Sequence, residues 1–162
     1  FIVSTNLRDN IYLEYDTPKS NDPKVLSSLY RSEFKKDLES LDNHLDTEFG
    51  ERGVNLSGGQ RQRINIARAD FSDSEILLLD DSFSAIDVET ETKLINNLLL
   101  KDWKDKTIIM TSHRLSLLPL ATRIIFLKDG KIKNEGSFEE LTKMDSEFRS
   151  FTLQLTENTN PF

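Results

Sequence analysis

The chain has 162 residues, 36% hydrophobic and 30% charged, which is typical of a globular protein with one ordinary domain and no membrane-spanning run. The net charge of −7, with acidic and basic residues interspersed, argues against a nucleic-acid binder, which needs a clustered basic face. The absence of cysteine and the presence of only two histidines exclude disulfides, a thiol nucleophile and a multi-histidine metal centre.

The first part of the chain is predicted to be mainly helical after a short apolar start at Phe1-Ile2-Val3, which indicates a strand. Asp22-Pro23 is expected to cap a helical stretch. Apolar residues then recur at roughly helical spacing: Val25, Leu26, Leu29, Phe34, Leu38, Leu41 and Leu45. A glycine-bearing loop at residues 50–55 follows, and Ser57 is predicted to open a helix that runs through Arg68.

The remainder of the chain alternates strands with helices. The apolar run at residues 76–79 and a second one at residues 107–110 each predict a strand that is buried on both faces. Residues 89–100 are predicted to be helical, Asp129-Gly130 predicts a hairpin turn, and a last helix is expected over residues 137–155. This order predicts an α/β fold with a parallel sheet.

The run Leu56-Ser57-Gly58-Gly59-Gln60 is the first candidate site. A serine N-cap and two glycines leave N–H groups free at a helix start, and the helix dipole adds partial positive charge, so an anion is favoured there. The alternative interpretation is a glycine turn followed by a capped helix without a ligand.

Two carboxylates, Asp80 and Asp81, follow the strand at residues 76–79. Carboxylates at the C-terminal end of a buried strand can hold magnesium in α/β nucleotide enzymes. The alternative is that both aspartates cap the following turn. His113 follows the next strand, and we expect it beside these carboxylates, where an imidazole can bond a phosphate and orient water. The alternative for a single histidine is a structural role.

These runs together resemble the ATP-binding-cassette family. Residues 56–60 and the following Gln60-Arg61-Gln62-Arg63 resemble its signature motif, residues 76–81 its Walker B motif, and Ser84-Ala85-Ile86-Asp87 its D-loop. His113 matches its switch histidine. The alternative for the D-loop run is a simple turn in which Asp87 caps the next helix, and the two roles are compatible.

The resemblance implies a role for each site residue. Ser57, Gly58, Gly59 and Gln60 would contact the γ-phosphate of ATP held by a second nucleotide-binding domain, and Ser84 and Asp87 would communicate across that dimer. Asp80 would hold Mg²⁺ through water, while Asp81 and His113 would be catalytic. The implied cofactors are ATP and Mg²⁺, and the fold is a P-loop-NTPase-like parallel sheet flanked by helices, incomplete here, with an α-helical signature subdomain.

The resemblance also indicates an exporter. Residues 1–11 resemble the segment that follows the family's Q-loop, although a plain surface loop is the alternative. A second run resembles the loop found just before the signature in exporters, which contacts the coupling helices of the transmembrane domain. This run is Thr47-Glu48-Phe49-Gly50-Glu51-Arg52-Gly53, and a plain surface loop is again the alternative. Residues 1–69 would form the helical subdomain with the signature, and residues 70–162 the C-terminal part of the ATP-binding core.

Two departures from the family pattern affect the expected activity. Fully active members carry glutamate at the position of Asp81, so this subunit is expected to supply the weakened half of a heterodimer. No Gly-x-x-x-x-Gly-Lys-Ser/Thr run occurs in the sequence. We therefore expect the parent subunit to be an ATPase at the cytoplasmic face of the membrane, this chain alone to be inactive, and its sheet to expose apolar surface.

Two alternative functions remain open from the sequence. The domain would bind ATP without hydrolysing it and act as a regulatory module, or it would belong to a DNA-repair or translation ATPase of the same superfamily. The acidic balance and the exporter-like loop argue against the last. Asp70 has no assigned role, because an apolar residue is expected at a packed helix end.

Overall fold

The computed structural model describes residues 2–50 and 53–159. These residues pack into two compact units that divide after Thr111. The first unit contains five α-helices: α1 Leu7–Tyr12, α2 Asp22–Arg31, α3 Lys35–Glu39, α4 Gly58–Ser72 and α5 Val88–Leu94, of which the last continues as a π-helical segment Ile95–Asp102. Two strands, β1 Ile76–Asp80 and β2 Thr107–Thr111, complete this unit.

A helical core fills the part of the first unit that precedes β1. Residues from α1, α2, α3 and α4 form one buried cluster with Phe34, which directly precedes α3, and with two residues between α3 and the signature run. The cluster consists of Leu7, Ile11, Val25, Leu29, Phe34, Leu38, Leu45, Phe49, Ile64 and Ala67. Burying side chains of this kind contributes about 1.5–3 kcal/mol each to stability. This cluster confirms the prediction of an α-helical subdomain around the signature helix.

The predicted helix over residues 22–45 is broken in the structure. Glu33 adopts a left-handed backbone with φ of 59°, which ends α2, and α3 ends at Glu39. Asp22 is also not the cap that we expected, since Asn21 precedes the helix without a side-chain cap. The carboxylate of Asp22 instead accepts from the buried guanidinium of Arg8. The expected strand at the start is wrong for Ile2 and Val3, and Phe1 lies outside the described residues.

The polar helix end at Asp70 has a clear structural explanation. Asp70 is only 7% exposed and accepts from Arg31, whose Nε and Nη2 lie 3.0 and 2.6 Å from its carboxylate. The indole Nε1 of Trp103, which is 1% exposed, donates to the other oxygen at 3.1 Å. The carboxylate therefore ties α4 to α2 and to the segment before β2.

The two strands of the first unit pair in parallel, with Ile76 opposite Thr107 and Asp80 opposite Thr111. This pairing confirms the predicted parallel sheet. The expectation of burial on both faces is wrong, because side chains alternate between a covered and an open face. On the open face, Ile76, Leu78 and Ile109 are 61%, 74% and 59% exposed. The described part of the chain thus exposes apolar sheet surface, as the sequence led us to expect.

The second unit contains a hairpin and two helices. Strands β3 Ile124–Lys128 and β4 Lys131–Gly136 are antiparallel, and Asp129 and Gly130 turn the chain at φ of 50° and 72°. The two positive values are those of a type I′ turn, which confirms the predicted hairpin. The single last helix is wrong: α6 Phe138–Met144 and α7 Ser146–Thr159 are separated by Asp145, whose carboxylate accepts from the N–H groups that open α7.

No helix among residues 2–50 and 53–159 is both long and apolar enough to cross a membrane.

Candidate functional site

The signature run begins a well-capped helix. Ser57 has an extended backbone, and its Oγ accepts from the N–H of Gln60 at 3.2 Å, while the Gln60 side chain accepts from the Ser57 N–H at 2.9 Å. This reciprocal pair is a capping box, and it leaves the N–H groups of Gly58 and Gly59 without an intrahelical acceptor. The local fold therefore fits both interpretations of the run, a capped helix and an anion site, since the two use different N–H groups.

The two glycines allow the helix start to lie against the loop that follows β1. A Cβ atom on Gly59 would come within 2.8 Å of the carbonyl oxygen of Ala85, and one on Gly58 within 3.1 Å of the Ala85 Cβ. The first distance is shorter than real Cβ contacts, so a larger residue at position 59 requires the backbone to shift. Glycine is thus needed at position 59 for this close approach.

A second set of contacts holds the same helix against α3. Asp37 accepts from Gln60 Nε2 at 2.8 Å and from Arg63 Nη2 at 2.7 Å. The Arg63–Asp37 ion pair is largely covered, with side-chain exposures of 12% and 19%. The signature residue Gln60 is therefore fixed by its backbone cap and by an acidic residue of the neighbouring helix.

Asp80 is the last residue of β1 and Asp81 follows it, and Thr111 at the end of β2 contacts both. The Thr111 hydroxyl donates to the Asp80 carboxylate at 2.5 Å, and the Asp81 N–H lies 3.0 Å from the same hydroxyl oxygen. Both aspartate side chains are exposed. Asp81 has a left-handed backbone with φ of 45°, a conformation that aspartate tolerates better than most residues. The Thr111 hydroxyl was not among the predicted site residues.

The D-loop run is held by its own side chains. The Ser84 hydroxyl donates to the Asp81 carbonyl at 3.1 Å. Asp87 caps α5 by accepting from the Thr90 N–H at 2.9 Å, and this hydrogen bond lowers the pKa of the Asp87 carboxyl. The capping role that we considered for Asp87 is thus present in the structure. The Asp87 side chain is also exposed at the surface.

Gln62 joins the signature helix to this loop and was missed by the sequence reasoning. Its Nε2 donates to the Asp81 carbonyl at 2.9 Å and to the Ser84 hydroxyl at 2.7 Å, and its Oε1 accepts from the Ala85 N–H at 2.7 Å. The only sequence signal is an amide two residues after Gln60 on a polar helix face, which does not identify a partner about 20 positions away.

His113 lies in the second unit, directly after β2, and its side chain is exposed. The neighbouring Ser112 hydroxyl accepts from the Arg114 N–H at 3.0 Å, which shapes the turn. The expected proximity of His113 to Asp80 and Asp81 stays a prediction. The other histidine, His44, is exposed in a short 3₁₀ turn.

The predicted exporter loop is tied to the start of the chain. The Leu7 N–H donates to the Thr47 carbonyl at 3.0 Å, and the Phe49 N–H donates to the Thr5 carbonyl at 3.0 Å. Beneath these contacts lies Arg8, which donates to Asp22 and to Asp46, the residue just before the loop. Glu51 and Arg52 lie outside the described residues.

The donor set at the end of β1 fits a magnesium ion that is shared with a nucleotide. No group of three or more metal-binding side chains occurs in the part of the chain that the structure describes, so Asp80, the residue expected to hold magnesium, could supply only part of its shell. Mg²⁺ is commonly bound by one or two carboxylates, with water and phosphate oxygens completing its shell. A nucleotide phosphate would therefore have to supply part of the coordination.

Comparison with known proteins identifies the family of the chain. A protein-family model described as "ABC transporter" matches residues 3–84. A multidrug resistance-like ATP-binding protein, MdlA, from Buchnera aphidicola is 41% identical over 93% of this chain and 26% of its own length. The putative ABC transporter C family member 15 of Arabidopsis thaliana is 40% identical over 94% of this chain and 14% of its own length.

A solved structure shares the fold. A bacterial Atm1-family ABC exporter with ATP bound superimposes with a TM-score of 0.82 and 28% identity, over 96% of this chain and 27% of that one. The chain thus spans about a quarter or less of the length of these relatives. The family match covers the signature helix, β1 and the loop through Ser84. The chain belongs to the ABC transporter family.

Proposed function

We propose that this chain is part of the nucleotide-binding domain of an ABC exporter whose intact subunit binds and hydrolyses ATP to drive transport. The observation that carries the proposal is the joint of the signature helix and the loop after β1, where Gly58 and Gly59 lie against Ala85. Two motifs with separate roles in the family are thereby packed into one surface of the first unit. The exporter with ATP bound, which matches 96% of the chain, supports the same function.

The signature residues would act on ATP held by a second nucleotide-binding domain. The free N–H groups of Gly58 and Gly59 and the dipole of the 15-residue helix α4 favour an anion at this end. Ser57 and Gln60 are then the side chains next to the γ-phosphate. Ser84 and Asp87, on the adjoining loop, would face the same partner domain.

Asp80, Asp81 and His113 would serve this chain's own nucleotide. Asp80 would hold Mg²⁺ through water, Asp81 would lie next to the attacking water, and His113 would bond the γ-phosphate. Mg²⁺, when bound, neutralises charge that develops on the phosphate oxygens. The sequence has no phosphate-binding loop of the Gly-Lys-Ser/Thr type, so we propose that the chain by itself neither binds ATP tightly nor hydrolyses it.

Asp81 supports a weakened catalytic site. Aspartate is one methylene shorter than the glutamate of fully active members, and a displacement of about 1 Å can lower a rate roughly 10²-fold. The subunit would then form the weakened half of a heterodimer. The same residue supports a second candidate function, in which the domain binds ATP without hydrolysing it and regulates a competent partner.

The substitution Asp81→Glu in the intact subunit, assembled with its partner, separates these two functions. A rise in kcat of about tenfold or more is expected if the short side chain limits hydrolysis. Asp129→Glu is the matched control, because Asp129 is also exposed and has a similar left-handed backbone, φ 50° against 45°. No gain at position 81 would contradict a site limited by side-chain reach and would favour the regulatory function.

The partners follow from the same proposal. A second nucleotide-binding domain would face the signature helix, and the loop at residues 47–53 would contact the coupling helices of a transmembrane domain. The domain would then lie at the cytoplasmic face of a membrane. The ABC-transporter names of the relatives and the net charge of −7 support this assignment over a nucleic-acid ATPase.

A further inference from the structure

Gln62 occupies the joint between the signature helix and the loop that follows β1. Its side chain reaches three backbone or hydroxyl groups in a segment of five residues: the Asp81 carbonyl, the Ser84 hydroxyl and the Ala85 N–H, at 2.9, 2.7 and 2.7 Å. The amide therefore uses both its donor and its acceptor on one loop. A side chain bonded at both ends fixes the loop in direction as well as in distance.

The contacts of Gln62 begin at the carbonyl of Asp81, the residue expected next to the attacking water. The Asp81 N–H is bonded to Thr111, and the Asp81 carbonyl accepts from Gln62. Because Asp81 has a left-handed backbone, the groups on either side of it must hold the peptide in a sparsely populated conformation. Gln62 is thus one of the side chains, with Thr111 and Ser84, that bond the backbone of Asp81 and so help to set where its carboxylate points.

We infer that Gln62 is a positioning residue that holds the loop at residues 81–87 in register with the signature helix, so that the surface facing a partner's ATP and the carboxylates of the chain's own site move together. This inference deepens the proposed function and rests on it. The link lies within one chain, and the close approach of Gly59 to Ala85 gives it a second, independent contact. A displacement of the signature helix would then pass directly to the backbone of Asp81.

The contact itself can be tested on this chain by hydrogen exchange at the Ala85 amide. Gln62→Met removes all three hydrogen bonds at nearly constant volume, and the Ala85 amide should exchange about tenfold faster or more, because it loses its acceptor. Gln62→Glu keeps an acceptor for Ala85 and should stay near the rate of the unchanged chain. Gln154→Met makes the same replacement at an exposed helix position and should change nothing.

The consequence for turnover is measured in the intact subunit assembled with its partner. Gln62→Met should lower kcat about tenfold and leave the KM for ATP within about twofold, since the residue orients the site without contacting the nucleotide. The kcat of Gln62→Glu should lie between that of Gln62→Met and that of the unchanged subunit. The thermal midpoints of all variants should lie within a few degrees of each other, which separates positioning from a loss of fold.

Two results would overturn the inference about Gln62, and a third would refute the proposed function. Ala85 exchange in Gln62→Met within about twofold of the unchanged chain would overturn the inference, because the amide would then not depend on Gln62. The inference would also be overturned if Gln62→Met had the same kcat as the control Gln154→Met. No ATPase activity in the unmodified assembled subunit would refute the proposed function instead, and the exchange result would still decide whether Gln62 holds the loop.

Discussion

Replacing Asp70 by alanine should destabilise the first unit by about 3 kcal/mol, because it removes the acceptor that two other elements share. The indole Nε1 of Trp103, in a side chain that is 1% exposed, would be left without its acceptor. A buried unsatisfied donor costs about 1–3 kcal/mol. Arg31 is 41% exposed and can be rehydrated, so its lost hydrogen bonds add only about 1 kcal/mol.

Asparagine at position 70 gives a sharper comparison. It keeps one acceptor oxygen for Trp103 but replaces the oxygen that accepts from Arg31 by an amide NH₂ group, so Asp70→Asn should cost about 1 kcal/mol through the lost Arg31 contacts. Arg31→Met should cost more, about 3 kcal/mol, because it leaves the carboxylate of Asp70, whose side chain is 5% exposed, without its charged partner. The gap of about 2 kcal/mol between the alanine and asparagine variants measures the Trp103 hydrogen bond.

Urea unfolding followed by tryptophan fluorescence reads this unit directly, because Trp103 is the only tryptophan of the chain. With a slope of about 1–3 kcal/mol per M, the midpoint of Asp70→Ala should fall by roughly 1–3 M. Equal midpoints for the alanine and asparagine variants would refute the reasoning, since the indole bond would then contribute nothing. A loss of stability below about 1 kcal/mol in Asp70→Ala would also refute the reasoning.

Three further predictions follow from other contacts. Gly59→Ala should cost about 1–3 kcal/mol in the same urea assay, because its Cβ would meet the Ala85 carbonyl at 2.8 Å, whereas helix propensity alone predicts a gain. Arg8→Met should cost about 3 kcal/mol there by leaving Asp22 and Asp46 without their shared cation, and a loss under about 1 kcal/mol would contradict this. The Phe148 N–H and the other donors at Asp145 lower the pKa of that carboxyl from 3.8 to about 2, so its contribution to stability is complete above pH 3.8 and is lost as pH falls towards 2. Hydrogen exchange of α7 amides should show this acid loss, and Asp145→Asn should remove it; an identical acid profile in that variant would contradict the assignment.

Features set by short-range chemistry could be predicted from the sequence. The N-cap at Ser57 depends on residues three positions apart, and the turn at Asp129-Gly130 depends on two neighbouring residues that accept positive φ. The parallel pairing of β1 with β2 followed from two apolar runs separated by a helical segment. In each case the residues that determine the structure lie close together in the sequence, or repeat with the period of one element.

Features that depend on distant partners could not be predicted. The break at Glu33 needs a left-handed backbone at a residue type that rarely adopts one, and nothing local indicates it. Asp70 looked misplaced on a packed helix because its partners, Arg31 and Trp103, are each more than 30 positions away. Gln62 was missed for the same reason. The prediction that β1 is buried on both faces was wrong because an apolar run does not indicate which of its two faces other elements cover.

Titration of this 162-residue chain with Mg·ATP by calorimetry is the decisive experiment. The chain carries the signature surface and the Asp80–Asp81 strand end but has no Gly-x-x-x-x-Gly-Lys-Ser/Thr run. We therefore expect no saturable heat at millimolar nucleotide. Saturable binding in the micromolar range would contradict the account, because the chain would then hold a phosphate cradle of its own.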